Sequence, residues 1–333
     1  MVGFCTSPKF VEHLTGPNHP ERPDRIRAIA LAVRRAQLVD SPNPFPDFEL
    51  DLQLSPLAGP KLLELAPTPA EEKWLKLVHQ DSHIDLVKRA CAGGGGVLDL
   101  GDTVVCPQSF EIALLACGAV LNCCDAVMSG QVSRAFAAVR PPGHHAEPQR
   151  PLGFCLFGNV AIAARYLQKQ HGVDKIAVVD FDVHHGNGTQ AAFESDPSVL
   201  FVSLHQHPRT CFPGSGYDWE TGEGPGAGTT LNIPMMPGSG EVEYLEAFES
   251  LVLPKLDEFK PSVLLLSAGF DAHHDDMLAH TDLGEESFFT MTRLLAQAAD
   301  VHCRGRLVST LEGGYNLRAL GRSVVRHLDA LRT

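Results

Sequence analysis

The sequence predicts an α/β fold, a parallel sheet with helices on both faces. Three observations predict it. Short apolar runs rich in Val, Ile, Leu and Phe recur along the chain, longer stretches of helical character separate them, and a turn signal follows each run. The expected strands are Ala135 to Val139, Ile176 to Phe181, Val199 to Leu204, Val263 to Ala268 and Leu307 to Leu311. Their continuous apolar character suits strands buried on both faces. Helices are expected over Ser109 to Met128, Gly158 to His171, Glu241 to Phe259, Glu285 to His302 and Leu317 to Leu331. Ser109 is placed to cap the first of these, with Glu111 in its first turn. Gly93 to Gly96 reads as a mobile loop or a turn where backbones approach closely, and the Pro-rich stretch from Ser41 to Pro69 as long surface loops.

Composition narrows the function. The chain has 333 residues, 44% hydrophobic and 20% charged, which excludes a largely disordered chain. Its 27 basic against 40 acidic residues give a net charge of −13, and no Lys/Arg run offers a nucleic-acid footprint. An acidic surface favours cationic partners or serves solubility alone. The nine cysteines are odd in number, lack a CxxC pair and read as buried thiols rather than as a disulfide framework or zinc ribbon. Apolar runs such as Val263 to Leu266 are too short to cross a bilayer, and the start has no charged, then apolar, leader pattern, so no membrane partner and a cytoplasmic location are expected.

The polar residues fall at the ends of the expected strands. Arg140-Pro-Pro-Gly-His-His follows the first, Asp180-Phe-Asp-Val-His-His-Gly-Asn-Gly ends the second and Ser203-Leu-His closes the third. Gly269-Phe-Asp-Ala-His-His follows the fourth and Glu312-Gly-Gly-Tyr-Asn the fifth. In a parallel sheet these ends share one edge, where ligands bind. Asp180, Asp182 and His184 alternate, so an extended chain puts them on one side. Asp182 and His184, with Asp271 from another loop, make a metal site with an open coordination position. His144 and His145 suit an acid/base pair beside it. Asp180 is free to orient and charge one of them and Asn187 to orient the other, which would give them different protonation states. Tyr315, on a turn expected to be flexible, can donate to a developing oxyanion. His273-His274-Asp275-Asp276 reads as a solvated loop.

These motifs, with Phe212-Pro-Gly-Ser-Gly, Ala268-Gly-Phe-Asp-Ala and His19-Pro-Glu-Arg-Pro-Asp-Arg-Ile, closely resemble the zinc-dependent histone deacetylase family, in order and spacing, from about residue 17 to the C-terminus. The Asn187 position and the Glu312-Gly-Gly-Tyr form resemble its class II branch and the bacterial relatives. The resemblance implies a single arginase/deacetylase-type domain over residues 1–333 with an eight-stranded parallel sheet. It implies one catalytic zinc on Asp182, His184 and Asp271, although iron(II) also suits two carboxylates and an imidazole. It implies His144 and His145 as the tandem histidines, His145 being the general base, with Asp180 and Asn187 as their respective partners. Tyr315 is implied as the carbonyl-polarising tyrosine. Gly153, Phe154 and Phe212 would form the acyl-lysine channel, with Leu278 at its mouth. A structural potassium is implied at Asp180, Asp182, His184, Ser203 and Leu204, mostly through backbone oxygens. Val105 stands where class I members carry a rim aspartate. The implied substrate is an acetylated lysine in a peptide or protein, with an acetylated polyamine or other small amine as the alternative.

Overall fold

The computed structural model describes residues 1–99 and 101–333. In chain order the strands are β1 (Val2–Cys5), β2 (Leu63–Leu65), β3 (Gly96–Val97), β4 (Val104–Val105), β5 (Arg134–Ala137), β6 (Ile176–Asp180), β7 (Val199–Gln206), β8 (Thr230–Met235), β9 (Val263–Ala268) and β10 (Leu307–Leu311). β3 and β4 form a small antiparallel pair. The other eight make one parallel sheet in the order β2-β1-β5-β10-β9-β6-β7-β8. The helices are α1 (Asp24–Arg35), α2 (Glu72–Leu75), α3 (Asp81–Ala92), α4 (Ser109–Met128), α5 (Asn159–His171), α6 (Asn187–Phe193), α7 (Glu241–Ala247), α8 (Leu253–Phe259), α9 (Glu285–His302) and α10 (Leu317–Arg332). A π-helical turn, Phe248–Val252, joins α7 to α8.

Both sheet faces are covered, as the apolar runs require. Phe4 and Phe136 are register partners on one face, where His327 of α10 packs 4.9 Å from the Phe136 ring. Cys5, the next residue and so on the opposite face, meets Cys123 of α4. α4 is long and apolar enough to cross a membrane by length and composition, but most of it is buried within the fold, the mark of a core helix. This corrects the view that every apolar stretch is too short. All nine cysteines are free thiols.

All five expected strands and all five expected helices are present, with ends shifted by at most two residues, except that the π turn interrupts the α7–α8 segment. Ser109 does not cap α4. Its hydroxyl accepts the Cys106 amide at 2.9 Å and meets His13 Nδ1 at 2.7 Å. The Pro-rich segment contains the edge strand β2, which pairs Leu63 to Leu65 with Gly3 to Cys5. The glycine run is a close approach: a side chain at Gly95 would strike the Val105 carbonyl.

β6 and β9 are neighbours, yet the chain leaves β6 towards β7 and β8 and leaves β9 the other way, towards β10. This is the topological switch point of the sheet, where a crevice opens at the carboxyl ends of the strands. The Asp182, His184 and Asp271 loops leave from those two strands.

Buried neutral histidines give the core an acid lability. Burial lowers His13, His79 and His327 each to about 3. His327 sits between the Thr292 and Ser309 hydroxyls, 2.8 Å from each. A folded-state pKa below the unfolded value means that the unfolded chain binds the proton first. Their contribution is therefore complete above about pH 6.5 and lost as pH falls towards 3, at up to about 1.4 kcal/mol per pH unit for each histidine. Urea unfolding of the chelator-treated protein at pH 6.5 and 5 is expected to show this slope. His327→Gln should flatten it by one histidine's share, and an unchanged slope would count against the assignment.

Candidate active site

The site is assembled from five loops at the carboxyl edge. After β6, Phe181 and Val183 point into the core while Asp182 and His184 face the crevice. Asp271 reaches across from β9. His184 Nδ1 lies 3.1 Å from Asp182 Oδ1 and 3.1 Å from Asp271 Oδ2, and the three donor atoms fall within 4.8 Å of one another. Asp182 and Asp271 are fully buried like charges. Burial and the Asp182 charge raise Asp271 to about 6. Backbone amides support both carboxylates: Gly313 N–H donates to Asp182 Oδ2 at 2.7 Å and Val183 N–H to Asp271 Oδ1 at 3.0 Å. A Cβ at Gly313 would collide with both carboxylates, so only glycine lets this strand end close over them. Two carboxylates and an imidazole converging in a buried crevice fit a divalent cation such as zinc.

The His144 and His145 rings pack at a 40° tilt with centroids 4.0 Å apart. The Glu312 carboxylate holds their turn by accepting the Gly143 and His144 amides at 2.6 and 3.1 Å. His144 Nδ1 meets Asp180 Oδ2 at 2.9 Å, and His145 Nδ1 meets Asn187 Oδ1 at 2.8 Å. The Asn187 amide is oriented in turn: its Nδ2 donates to Glu147 Oε1 at 2.8 Å, so its carbonyl oxygen must face the ring. His145 therefore carries its proton on Nδ1 and leaves Nε2 bare. Burial opposes charge on His144, but Asp180 and Asp182 outweigh it and raise the group to about 10. Burial and the neighbouring His144 charge push His145 well below its usual value. The two rings thus hold different protonation states at neutral pH.

A channel of about 260 Å³ leads to this centre, lined by Pro20, Asp102, His145, Gly153, Phe154, His184, Phe212, Leu278 and Tyr315. Gly153 and Phe154 both adopt positive φ, 52° and 67°. A Cβ at Gly153 would meet the His145 ring at 2.5 Å and the Phe212 ring at 2.9 Å, so glycine is what lets the general-base candidate touch the channel wall. Phe154, in a conformation unusual for a bulky residue, is fixed by its amide donating to the Thr103 hydroxyl at 3.1 Å. Its ring lies edge-on to Tyr315 at 5.9 Å, and Phe212 lies edge-on to His145 at 5.0 Å.

The structure brings together every candidate ligand, acid/base and channel residue. Ser203 and Leu204 lie next door on β7, with Ser203 in register with Asp180. The rim reading needs correction. Val105 is buried in β4, and Asp102 faces the channel instead. The 273–276 loop is solvated only in part: His274 and Asp275 are exposed, while His273 and Asp276 are buried. His273, His274 and Asp275 cluster, but His273 Nδ1 accepts the Asp275 amide at 3.0 Å. Its proton therefore sits on Nε2, 3.4 Å from Glu285, and a protonated nitrogen cannot ligate a metal. Tyr315 is not on a flexible turn, because Arg25 grips the Glu312 and Gly314 carbonyls beneath it. Sequence reasoning assigned no role to Glu21, Arg25, Glu147 or Glu312. Glu21, Arg25 and Glu312 lie inside motifs that had drawn attention for other residues.

The family model described as histone deacetylase domain matches residues 19–331. The chain is 38% identical to histone deacetylase 10, chloroplastic, of Oryza sativa subsp. japonica over 96% of its own length and 71% of the relative's. It is 40% identical to the histone deacetylase-like amidohydrolase of Pseudomonas aeruginosa over 85% of its own length and 74% of that chain. Among solved structures, the crystal structure of the HDA15 HD domain superposes with a TM-score of 0.88 at 34% identity, covering 99% of this chain and 88% of that one.

Proposed function

The chain belongs to the histone deacetylase family of hydrolases, and from that membership we propose that it removes the acetyl group from the side-chain amine of acetyl-lysine in peptides or proteins. The observation that carries the reading is the convergence of the Asp182–His184–Asp271 donors, the differently partnered His144 and His145, and Tyr315 at the inner end of one aromatic-walled channel.

Asp182, His184 and Asp271 would hold zinc, which when bound supplies a Lewis acid that polarises the acyl carbonyl and acidifies water. Phe154 and Phe212 pack on the methylenes of the lysine stem and exclude bulk water. His145 Nε2 takes a proton from the attacking water and later gives it to the departing amine, so that the amide becomes acetate and a free amine. His144, charged and held by Asp180, stays beside it as a fixed positive group. The Tyr315 hydroxyl donates to the carbonyl oxygen as negative charge develops there. Potassium is proposed at Asp180, Asp182, His184, Ser203 and Leu204, where it would stiffen the β6–β7 edge under the ligand loop.

A second substrate reading rests on Asp102. A carboxylate at the mouth of the channel suits the distant ammonium group of an acetylated polyamine as well as a peptide amide. The deciding experiment measures acetate release from an acetyl-lysine peptide and from acetylated polyamines by the zinc-loaded protein, with and without a hydroxamate chelator. Hydroxamate-sensitive turnover of the peptide supports the proposal. Turnover of the polyamines alone overturns the peptide reading and keeps the chemistry. Tyr315→Phe is expected to retain its zinc and to lose about 10²–10³ in kcat, the usual cost of one oxyanion donor. Full activity in that variant would remove Tyr315 from the reaction.

A further inference from the structure

Tyr315 must present its hydroxyl within hydrogen-bond distance of one oxygen atom, yet it follows two glycines, the least constrained residues a chain can use. The structure shows what removes that freedom. On the carbonyl side of the turn, Arg25 Nε donates to Gly314 O at 2.7 Å, a second nitrogen donates to Glu312 O, and the guanidinium lies 5.0 Å from the Tyr315 ring centre. On the amide side a single carboxylate does the corresponding work. Asp276 Oδ2 accepts Tyr315 N–H at 2.7 Å and Asn316 N–H at 3.0 Å. Asp276 is only 9% exposed and has no ion-pair partner among the described residues, so backbone amides carry its charge. Its other oxygen, Oδ1, accepts the amide of Leu278, which lines the channel, at 3.3 Å.

The surroundings make the bracket rigid. Asn316 caps α10, its Oδ1 accepting the Arg318 and Ala319 amides at 3.1 Å, and its Nδ2 donates to the Asp275 carbonyl at 2.9 Å. The two amides held by Asp276 are thus those immediately before a sixteen-residue helix, where a negative charge is favoured. One carboxylate ties together a helix start, the backbone of the oxyanion donor and a second residue of the channel lining.

We propose that Asp276 is the positioning residue of the reaction: it sets the reach of the Tyr315 hydroxyl and couples that reach to Leu278, which also lines the channel. This rests on the role given to Tyr315 above. Asp276 itself touches neither the substrate nor the metal ligands, and it acts only through the backbone of Tyr315 and Leu278. A misplacement of about 1 Å at a group that must meet a developing charge costs about 10²-fold.

The test is a double-mutant cycle on the zinc-loaded, full-length chain with an acetyl-lysine peptide. Zinc content and thermal midpoint of each variant serve as controls. Asp276→Ala is expected to lower kcat about 10²-fold with KM changed less than threefold. The double variant Asp276→Ala/Tyr315→Phe should be no slower than Tyr315→Phe alone, because a bracket has no value once the hydroxyl it aims is gone. Asp276→Asn keeps an oxygen for the two amides but loses the charge and the bond to Leu278, so it should recover most of the lost rate. That variant also carries the test if the alanine protein does not fold. Losses that multiply in the double variant, or an Asp276→Ala enzyme within twofold of the parent while Tyr315→Phe is crippled, would overturn the proposal and leave the role of Tyr315 intact. A fully active Tyr315→Phe enzyme would overturn that role instead.

Discussion

Replacing His145 by alanine is expected to lower kcat by about 10²–10⁴ while zinc stays bound, the range over which a positioned general base contributes. The expectation follows from which nitrogen is free. His145 commits Nδ1–H to Asn187, whose amide is locked by Glu147, so Nε2 remains as an acceptor facing the channel. Its partner is a neutral amide, and burial beside the His144 charge keeps it deprotonated. His144 has the opposite setting: burial opposes its charge, Asp180 and Asp182 outweigh that, and it stays protonated at neutral pH. A ring already carrying both protons cannot take another from water. The informative comparison is therefore His145→Ala against His144→Ala on the same peptide, with zinc measured in each. The base assignment predicts the larger loss at His145. A His145→Ala enzyme within tenfold of the parent, with His144→Ala inactive, would move proton transfer to the other ring.

How much of this was legible in the sequence depends on the distance over which each feature is encoded. β6 and β9 announce themselves through runs of Val, Ile and Leu, since burial on both faces favours apolar side chains, and β10 does so through Leu and Val around the buried Ser309 and Thr310. The ligand set is legible for a related reason: Asp182 and His184 alternate in an extended segment, and period two puts them on one side without any tertiary information. β2 was missed because three half-exposed residues at a sheet edge, set among prolines, carry no periodic signal. Asp276 was misread because a polar run such as His273-His274-Asp275-Asp276 looks alike in solution and in a fold. What buries Asp276 is a turn 39 residues further along the chain. Asp102 and Val105 were confused because Asp102 lies just before β4 and Val105 within it, and three positions exchange the channel for the core. Residues that touch substrate are thus easier to read than residues that hold them, because the former are grouped in short motifs and the latter are paired across the fold.

The cluster that holds the site in place makes the strongest stability prediction. Glu21, Arg25 and Arg140 are fully buried, so two guanidinium groups share one carboxylate. Glu21 Oε1 meets Arg25 at 3.1 Å and also Arg140 Nε, while Oε2 accepts from a second Arg140 nitrogen at 2.7 Å. Burial alone would raise the Glu21 carboxyl, and the two arginines outweigh it and hold it at about 2. The folded-state value lies below the unfolded one, so this contribution is complete above about pH 4.5 and lost as pH falls towards 2. Glu21→Gln keeps the shape and deletes the charge, leaving two buried cations without a counter-charge, which is expected to cost about 3–5 kcal/mol of unfolding free energy. Replacing Glu21 and Arg140 together by Met should cost less than Glu21→Gln alone, because it leaves one buried cation without a counter-charge instead of two, and that one, Arg25, keeps its two carbonyl acceptors. Urea unfolding at pH 7 checks both, and a Glu21→Gln protein within 1 kcal/mol of the parent would show that the guanidinium groups reach water. The consequence extends to catalysis through geometry alone. Arg140 begins the turn that carries His144 and His145, and Arg25 holds the carbonyls under Tyr315, so the carboxylate that balances them ties both halves of the reacting centre to α1 and the segment before it.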